Sequence, residues 1–380
     1  MAHKVLLLGA GKIGRMIAKF FATSRDFDLV VGEAEPAAIE RIRKQTDVPV
    51  VRIDAGDASE LSRAIDGCQS VISALSFQFN AQIARIALEH GASYFDLTED
   101  VDTTRIVRTI ADSARPGQVF MPQCGLAPGF VSIAAHHLTH AFETVDSVRM
   151  RVGALPQFPT NALRYNLTWS TDGLINEYCN ICEVLHDGRR RELLPLEGIE
   201  LFSLDGTDYE AFNTSGGLGT LCETLEGKVR ELNYKTVRYP GHRDLMAFLV
   251  RELRLGERRD LLREVLERAL PITLQDLVVI FCTVAGQRKG QFVQLSDARK
   301  IYPRMIDGEW WSAIQITTAA GVCAVVDLHR EGRLPGGFVR QEQVGLDEFL
   351  ANRFGRNYDA QVSGPFNFAP ADPARPAAEC

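Results

Sequence analysis

The stretch that decides the fold is Lys4-Val5-Leu6-Leu7-Leu8-Gly9-Ala10-Gly11-Lys12-Ile13-Gly14. A short apolar run ends in three glycines spaced GxGxxG, and over residues 16–22 the apolar side chains recur at helical spacing. Strand, tight turn and helix in that order make a phosphate cradle. Gly9 permits the turn, Gly11 lets backbone approach a pyrophosphate, and Gly14 lets helix pack closely on strand. Unpaired N–H groups and the dipole at the helix N-terminus favour the negative charge. Glu33, at the end of the next strand, can accept hydrogen bonds from an adenosine ribose and would repel a 2′-phosphate. The cofactor expected is therefore NAD, held by Gly9, Gly11, Lys12, Ile13, Gly14 and Glu33; Lys12, Arg15 and Arg41 leave room for NADP.

Outward from this motif, strands are predicted at residues 27–31, 49–53, 70–75, 93–96 and 118–121, with helices at 37–45, 59–65, 80–90 and 101–114. Six strands with helices between them form a doubly wound parallel sheet, a Rossmann domain over residues 1–123. Ligands of such sheets sit beyond the carboxyl ends of the strands. Asp54 and Ala55 are therefore placed beside the adenine, and Ser73, Ala74 and Leu75 beside the nicotinamide ribose. Asp54 could equally cap a turn.

After a helix near residues 131–142 the rhythm changes. Ser147-Val148-Arg149-Met150-Arg151-Val152 alternates polar with apolar, as in a half-solvated mixed sheet. Further strands at 231–239, 277–285 and 311–317, with helices at 244–254 and 260–269, define an α+β substrate and dimerisation domain over residues 124–318. Apolar helices at 319–331 and 346–354 are expected to return to the first domain by analogy with other two-domain dehydrogenases. Residues 359–380, rich in Pro and Ala, read as a loose tail.

A chain of 380 residues is long enough for two domains. Its net charge of −7 argues against a nucleic-acid partner, which would call for basic surface. No run of apolar residues is long enough to span a bilayer, and the N-terminus leads straight into a strand, so the cytoplasm is the expected compartment. The eight cysteines read as reduced thiols. Cys179 and Cys182 form a CxxC without a second ligand pair, and His136, His137 and His140 lie on one predicted helix without a clear third ligand, so no metal is expected.

Beyond the glycines, Val51-Arg52-Ile53-Asp54-Ala55-Gly56-Asp57, Tyr94-Phe95-Asp96-Leu97-Thr98 and Gly125-Leu126-Ala127-Pro128-Gly129 resemble the saccharopine dehydrogenase family. Trp169-Ser170-Thr171-Asp172-Gly173-Leu174, Thr214-Ser215-Gly216-Gly217 and the stretch from Tyr234 to His242 are similar to its lysine 6-dehydrogenase branch. The resemblance spans nearly the whole chain except the C-terminal tail. It implies oxidation or reduction of a carbon–nitrogen bond of lysine, saccharopine or a related amine with a nicotinamide cofactor. Two departures from the saccharopine-reductase pattern bring lysine forward: Ala127 stands where that motif carries Asp, and Asp172 where a carboxylate-binding arginine is expected.

Such chemistry needs a deprotonated substrate nitrogen, an anchored carboxylate and a carbon held against the nicotinamide. Asp96, Thr98 and Glu99 follow the fifth strand and are candidates to hold or deprotonate an amine; they could instead cap the next helix. Asp172 could bind an ammonium group or cap a helix. Arg164 and Arg238 offer forks for a carboxylate, His242 an acid or base, and Lys235 a proton shuttle if burial lowers its pKa. Asp96, His242 and Lys235 are thus the catalytic candidates, and Thr98, Glu99, Arg164, Asp172 and Arg238 the substrate-binding ones. The expected partner is a small amino-acid substrate, and the expected assembly a homodimer. A saccharopine dehydrogenase would need more cationic anchors, whereas a noncatalytic dinucleotide sensor would have a plugged or apolar pocket. A sugar epimerase or short-chain reductase is disfavoured because no Tyr-x-x-x-Lys pair occurs.

Overall fold

The computed structural model describes residues 2–359. The first part of the chain builds β1 (His3–Leu8), α1 (Lys12–Ala22), β2 (Phe27–Glu33), α2 (Pro36–Arg43), β3 (Val50–Arg52), α3 (Ala58–Ile65), β4 (Ser70–Ser73), α4 (Asn80–His90), β5 (Ser93–Asp96), α5 (Val101–Ala111), β6 (Val119–Met121) and α6 (Phe130–Thr139). There follow β7 (Thr144–Pro156), α7 (Thr171–Cys179), β8 (Cys182–His186), β9 (Arg189–Leu193), β10 (Glu200–Leu204), β11 (Thr207–Asn213), α8 (Leu221–Leu225), β12 (Glu231–Arg238), α9 (His242–Ala247) and α10 (Arg259–Ala269). The chain continues through β13 (Asp276–Arg288), β14 (Gln291–Ile301), β15 (Arg304–Ile306), β16 (Glu309–Trp311), α11 (Ala313–Arg330), β17 (Gly337–Phe338) and α12 (Leu346–Ala351).

The first sheet has seven parallel strands in the order β17-β6-β5-β4-β1-β2-β3. Its direction of winding reverses between β1 and β4, which opens a crevice at their carboxyl ends. Alternation along each strand feeds two cores: Val5 and Leu7 pack on one face, Leu6 and Leu8 on the other. The seventh strand comes from the end of the chain, where β17 pairs with β6, and α11 lies against α1.

The second sheet runs β10-β11-β12-β7-β13-β14, with β8 beside β12 and β9 beside β8. It is mixed, because β12 and β7 run parallel among antiparallel neighbours. The strand predicted at residues 311–317 is not formed: β16 stops at Trp311 and α11 begins at Ala313. Ile314, Ile316 and Thr317 have strand propensity, but capping overrides it. Ser312 and Gln315 form a capping box, and the buried Asp276 carboxylate accepts the Ala313 and Ile314 N–H groups at 2.5 and 2.9 Å. Among the described residues, no helix is long and apolar enough to cross a membrane. The predicted tail lies, from residue 360 onward, outside the described residues.

Candidate active site

Helix α1 has Gly11 as its N-cap and no side-chain cap, so its first N–H groups are left unpaired. A Cβ on Gly11 would meet nothing within 4 Å, whereas one on Gly14 would run into the carbonyl of Gly9. Gly14 is thus needed by the protein's own packing, and Gly11 only by something that lies against it. The residues fit a dinucleotide. Glu33 is fixed beside the turn: its carboxylate accepts the N–H groups of Ala10 and Ala34 at 2.8 Å and of Glu35 at 3.0 Å.

Other residues expected at this edge have local duties. Lys12 donates to the carbonyl of Leu167 (3.3 Å), tying α1 to the second sheet's domain. Asp54 accepts from the Gly56 N–H (2.8 Å), the turn role weighed for it. Ala55 is buried and its carbonyl accepts from Gln82 (3.1 Å). The Ser73 hydroxyl donates to Asn80 (2.7 Å), while Ile13, Ala74 and Leu75 line a cavity.

That cavity, about 290 Å³, lies between the two sheets' domains at the carboxyl ends of β4, β5 and β6. One wall is Leu97, Thr98, Glu99 and the Gly125–Pro128 loop; the other carries Tyr234, Thr236 and Arg238 of β12, with Trp169, Asp172 and Glu177 around α7. Strand periodicity explains the choice from β12: positions 234, 236 and 238 share one face. Lys235 lies on the opposite face, bonded to the Gly198 carbonyl and at 2.6 Å to Glu200, so its expected catalytic role is not supported.

Among the described residues that line this cavity, Arg238 is the one cation. It is fully buried, donates from Nε to Tyr178 (2.9 Å) and from Nη1 to the Val237 carbonyl (2.8 Å), and lies over the Tyr165 ring at 4.8 Å. Its Nη2 stands 3.7 Å from Oε2 of Glu177, an oxygen without a hydrogen-bond partner among the described residues. Burial pushes the Glu177 carboxyl up to about 7 against the pull of Arg238, and the charge of Glu99 adds to the rise. Burial also raises the half-buried Glu99, which accepts from Asn176 at 3.2 Å.

Several expected roles are corrected. Asp96 faces the interior: its carboxylate accepts from the Tyr94 hydroxyl (2.8 Å) and from the Thr98 and Gln123 N–H groups (3.0 and 2.9 Å), joining β5 to the loop after β6. His242 is buried outside the cavity, between the Leu163 carbonyl (2.8 Å) and Tyr178 (2.9 Å). Burial, with Arg238 nearby, lowers it to about 3, unsuited to an acid or base near neutrality. Arg164 is exposed and does not line the cavity; its backbone is left-handed (φ 50°). Asp172 reaches the rim but pairs with Arg263 (3.3 Å), and Ser170 rather than Asp172 caps α7. The cap of α5 is Asp100. His136 and His137 lie on α6, and Cys179 and Cys182 are free thiols.

Sequence reasoning missed Glu177. The available signal was an acid within Leu174-Ile175-Asn176-Glu177-Tyr178, every member of which is buried.

Fold, glycine cradle and interdomain cavity define the class: a two-domain, dinucleotide-binding protein of dehydrogenase architecture. The chain belongs to the saccharopine dehydrogenase family: residues 5–119 match the saccharopine dehydrogenase NADP binding domain and residues 125–354 the saccharopine dehydrogenase C-terminal domain. It is 23% identical over 201 residues to saccharopine dehydrogenase [NADP(+), L-glutamate-forming] of Saccharomyces cerevisiae, a match covering 50% of this chain and 43% of that protein. To the mitochondrial alpha-aminoadipic semialdehyde synthase of Rattus norvegicus it is 20% identical over 251 residues, covering 61% of this chain and 27% of that one. The match therefore spans less than half the length of these curated relatives. The solved structure of apo histidine-tagged saccharopine dehydrogenase (L-Glu forming) from Saccharomyces cerevisiae shares the fold, with a TM-score of 0.73 at 16% identity, covering 90% of this chain and 94% of that one.

Proposed function

We propose that the protein is an NAD(P)-dependent oxidoreductase that oxidises a carbon–nitrogen bond of lysine or a lysine-derived amino acid, in the manner of a lysine 6-dehydrogenase. The observation that carries this reading is the charge inventory of the cavity: one arginine, Arg238, against the carboxyl groups of Glu99 and Glu177, with Asp172 at the rim. A substrate with one carboxylate and a cationic amine suits that set. Saccharopine, with three carboxylates, would call for further cations. An open cavity lined by charged groups also argues against a sensor without chemistry.

Gly9, Gly11, Gly14 and the N-terminus of α1 would hold the pyrophosphate, and Glu33 the adenosine ribose, which favours NAD. Bound there, the nicotinamide supplies a hydride acceptor. Arg238 orients the substrate by its carboxylate, Glu99 attracts the ammonium end, and Leu97, Leu126 and Trp169 keep water from the reacting carbon. Free thiols at all seven described cysteines accord with a cytoplasmic setting.

The test is absorbance at 340 nm with purified protein, NAD or NADP, and either L-lysine or saccharopine. Reduction with L-lysine, accompanied by ammonia, is expected; turnover with saccharopine alone would overturn the reading.

A further inference from the structure

Glu177 has a position that substrate anchoring does not explain. Arg238 already meets the need for a carboxylate anchor, and Glu99 stands on the sheet-end loop where an ammonium group would lie. Glu177 comes from α7, whose Asn176 bonds Glu99, and lies close enough for the charge of Glu99 to act on it; its Oε2 has no hydrogen bond among the described residues although the side chain is buried. A carboxyl oxygen buried in a cavity wall without a protein partner is costly unless it exchanges a proton or meets a ligand or solvent.

We propose that Glu177 is the proton acceptor of this site: its free Oε2 takes a proton from the substrate's ε-ammonium group, which becomes the neutral amine that oxidation requires. The N–H bond breaks with its electron pair staying on nitrogen, an O–H bond forms on Glu177, and no oxidant is consumed in the step. This inference rests on the amine-oxidation reading.

The surroundings suit the role. Arg238 and Tyr234 face Glu177 from β12, Tyr178 from α7 itself, Tyr165 from the preceding loop, Glu99 from the loop after β5 and Cys182 from the start of β8. Arg238 favours the carboxylate, while desolvation and Glu99 favour the acid, so the group is balanced near neutrality. Arg238 is itself held by Tyr178, whose hydroxyl also meets His242, so the cation beside Glu177 is fixed in place.

The experiment pairs kinetics with calorimetry on the full chain. In wild type, kcat/KM for L-lysine should fall as pH drops below about 7. Glu177→Gln should lose this acid limb and at least a hundredfold in kcat, while Glu177→Asp, which keeps a carboxyl, should recover part of it. Independently of turnover, L-lysine is titrated into the NADH-loaded protein in buffers of different ionisation enthalpy. Wild type should release close to one proton at pH 6 and few at pH 8, and Glu177→Gln none at either. Retention of the acid limb or of proton release by Glu177→Gln, or loss of both in Glu99→Gln instead, would overturn the assignment. No amine turnover by wild type would mean that the oxidation reading had failed, while proton release would still report on Glu177.

Discussion

Adding one methyl group at each of two glycines in the same turn should have opposite consequences. Gly11 has φ −68° and ψ −165°, open to any residue, and a Cβ there meets no protein atom within 4 Å. Gly11→Ala should therefore leave stability unchanged or raise it by about 0.4–1 kcal/mol, since alanine has less freedom to lose on folding. A dinucleotide pyrophosphate lying on that backbone would meet the methyl group. Its affinity should fall at least about tenfold, or roughly 1.4 kcal/mol. Gly14→Ala places its Cβ well inside 3.0 Å of the Gly9 carbonyl, so helix and strand must separate. That costs about 3 kcal/mol or more, a fall in Tm on the order of 5–10 °C. Thermal unfolding and titration quenching with NADH read the two quantities separately. Unchanged affinity in Gly11→Ala, or destabilisation equal to that of Gly14→Ala, would refute the reasoning.

Three further outcomes follow from the same geometry. Arg238→Met removes the cation beside Glu177, so the KM for L-lysine should rise by about thirtyfold or more, roughly 2 kcal/mol. Cadaverine, which lacks the carboxylate, should lose only what the further rise of the Glu177 carboxyl costs, a loss that alkaline pH restores; a loss for L-lysine that alkaline pH restores equally would count against the anchoring role. Lys235→Met should leave kcat and KM within about twofold of wild type, because Lys235 points away from the cavity; a large loss of turnover would restore it to the site. His242 is held neutral down to about pH 3, whereas in the unfolded chain it takes up a proton near pH 6.5. Its contribution to stability is therefore lost as pH falls from 6.5 toward 3, by at most about 5 kcal/mol. Denaturant midpoints of wild type and His242→Gln should converge in acid, and parallel curves would contradict the shift.

What the sequence made legible follows the range of its signals. The GxGxxG turn and strand–helix alternation are local patterns, and the strands β1 to β6 lie where that alternation puts them. Three hairpins of the second sheet and the separate β15–β16 pair each carry a two-residue turn, Asp187-Gly188, Asp205-Gly206, Lys289-Gly290 and Asp307-Gly308, all with positive φ at both positions. Such pairs are a hairpin signal that could have located β8 to β11, β14, β15 and β16. The site is harder, because its sidedness is a tertiary property. Lys235 and Arg238 were both chosen from one strand, yet their odd separation puts them on opposite faces, a conclusion that period-two reasoning alone would have reached. Asp96 sits at the expected strand end; Tyr94 and the Thr98 N–H lie two residues to either side of it, whereas the Gln123 N–H that completes its inward setting comes from a distant loop. Glu177 required knowing that α7 closes over the cavity.

The most direct test of the central claim follows the hydrogen itself. L-lysine deuterated at the carbon bearing the ε-amine is incubated with NAD and the protein, and the reduced nicotinamide is analysed by mass spectrometry. The account predicts one deuterium at the reduced ring and release of ammonia. Unlabelled reduced cofactor would contradict oxidation at that carbon.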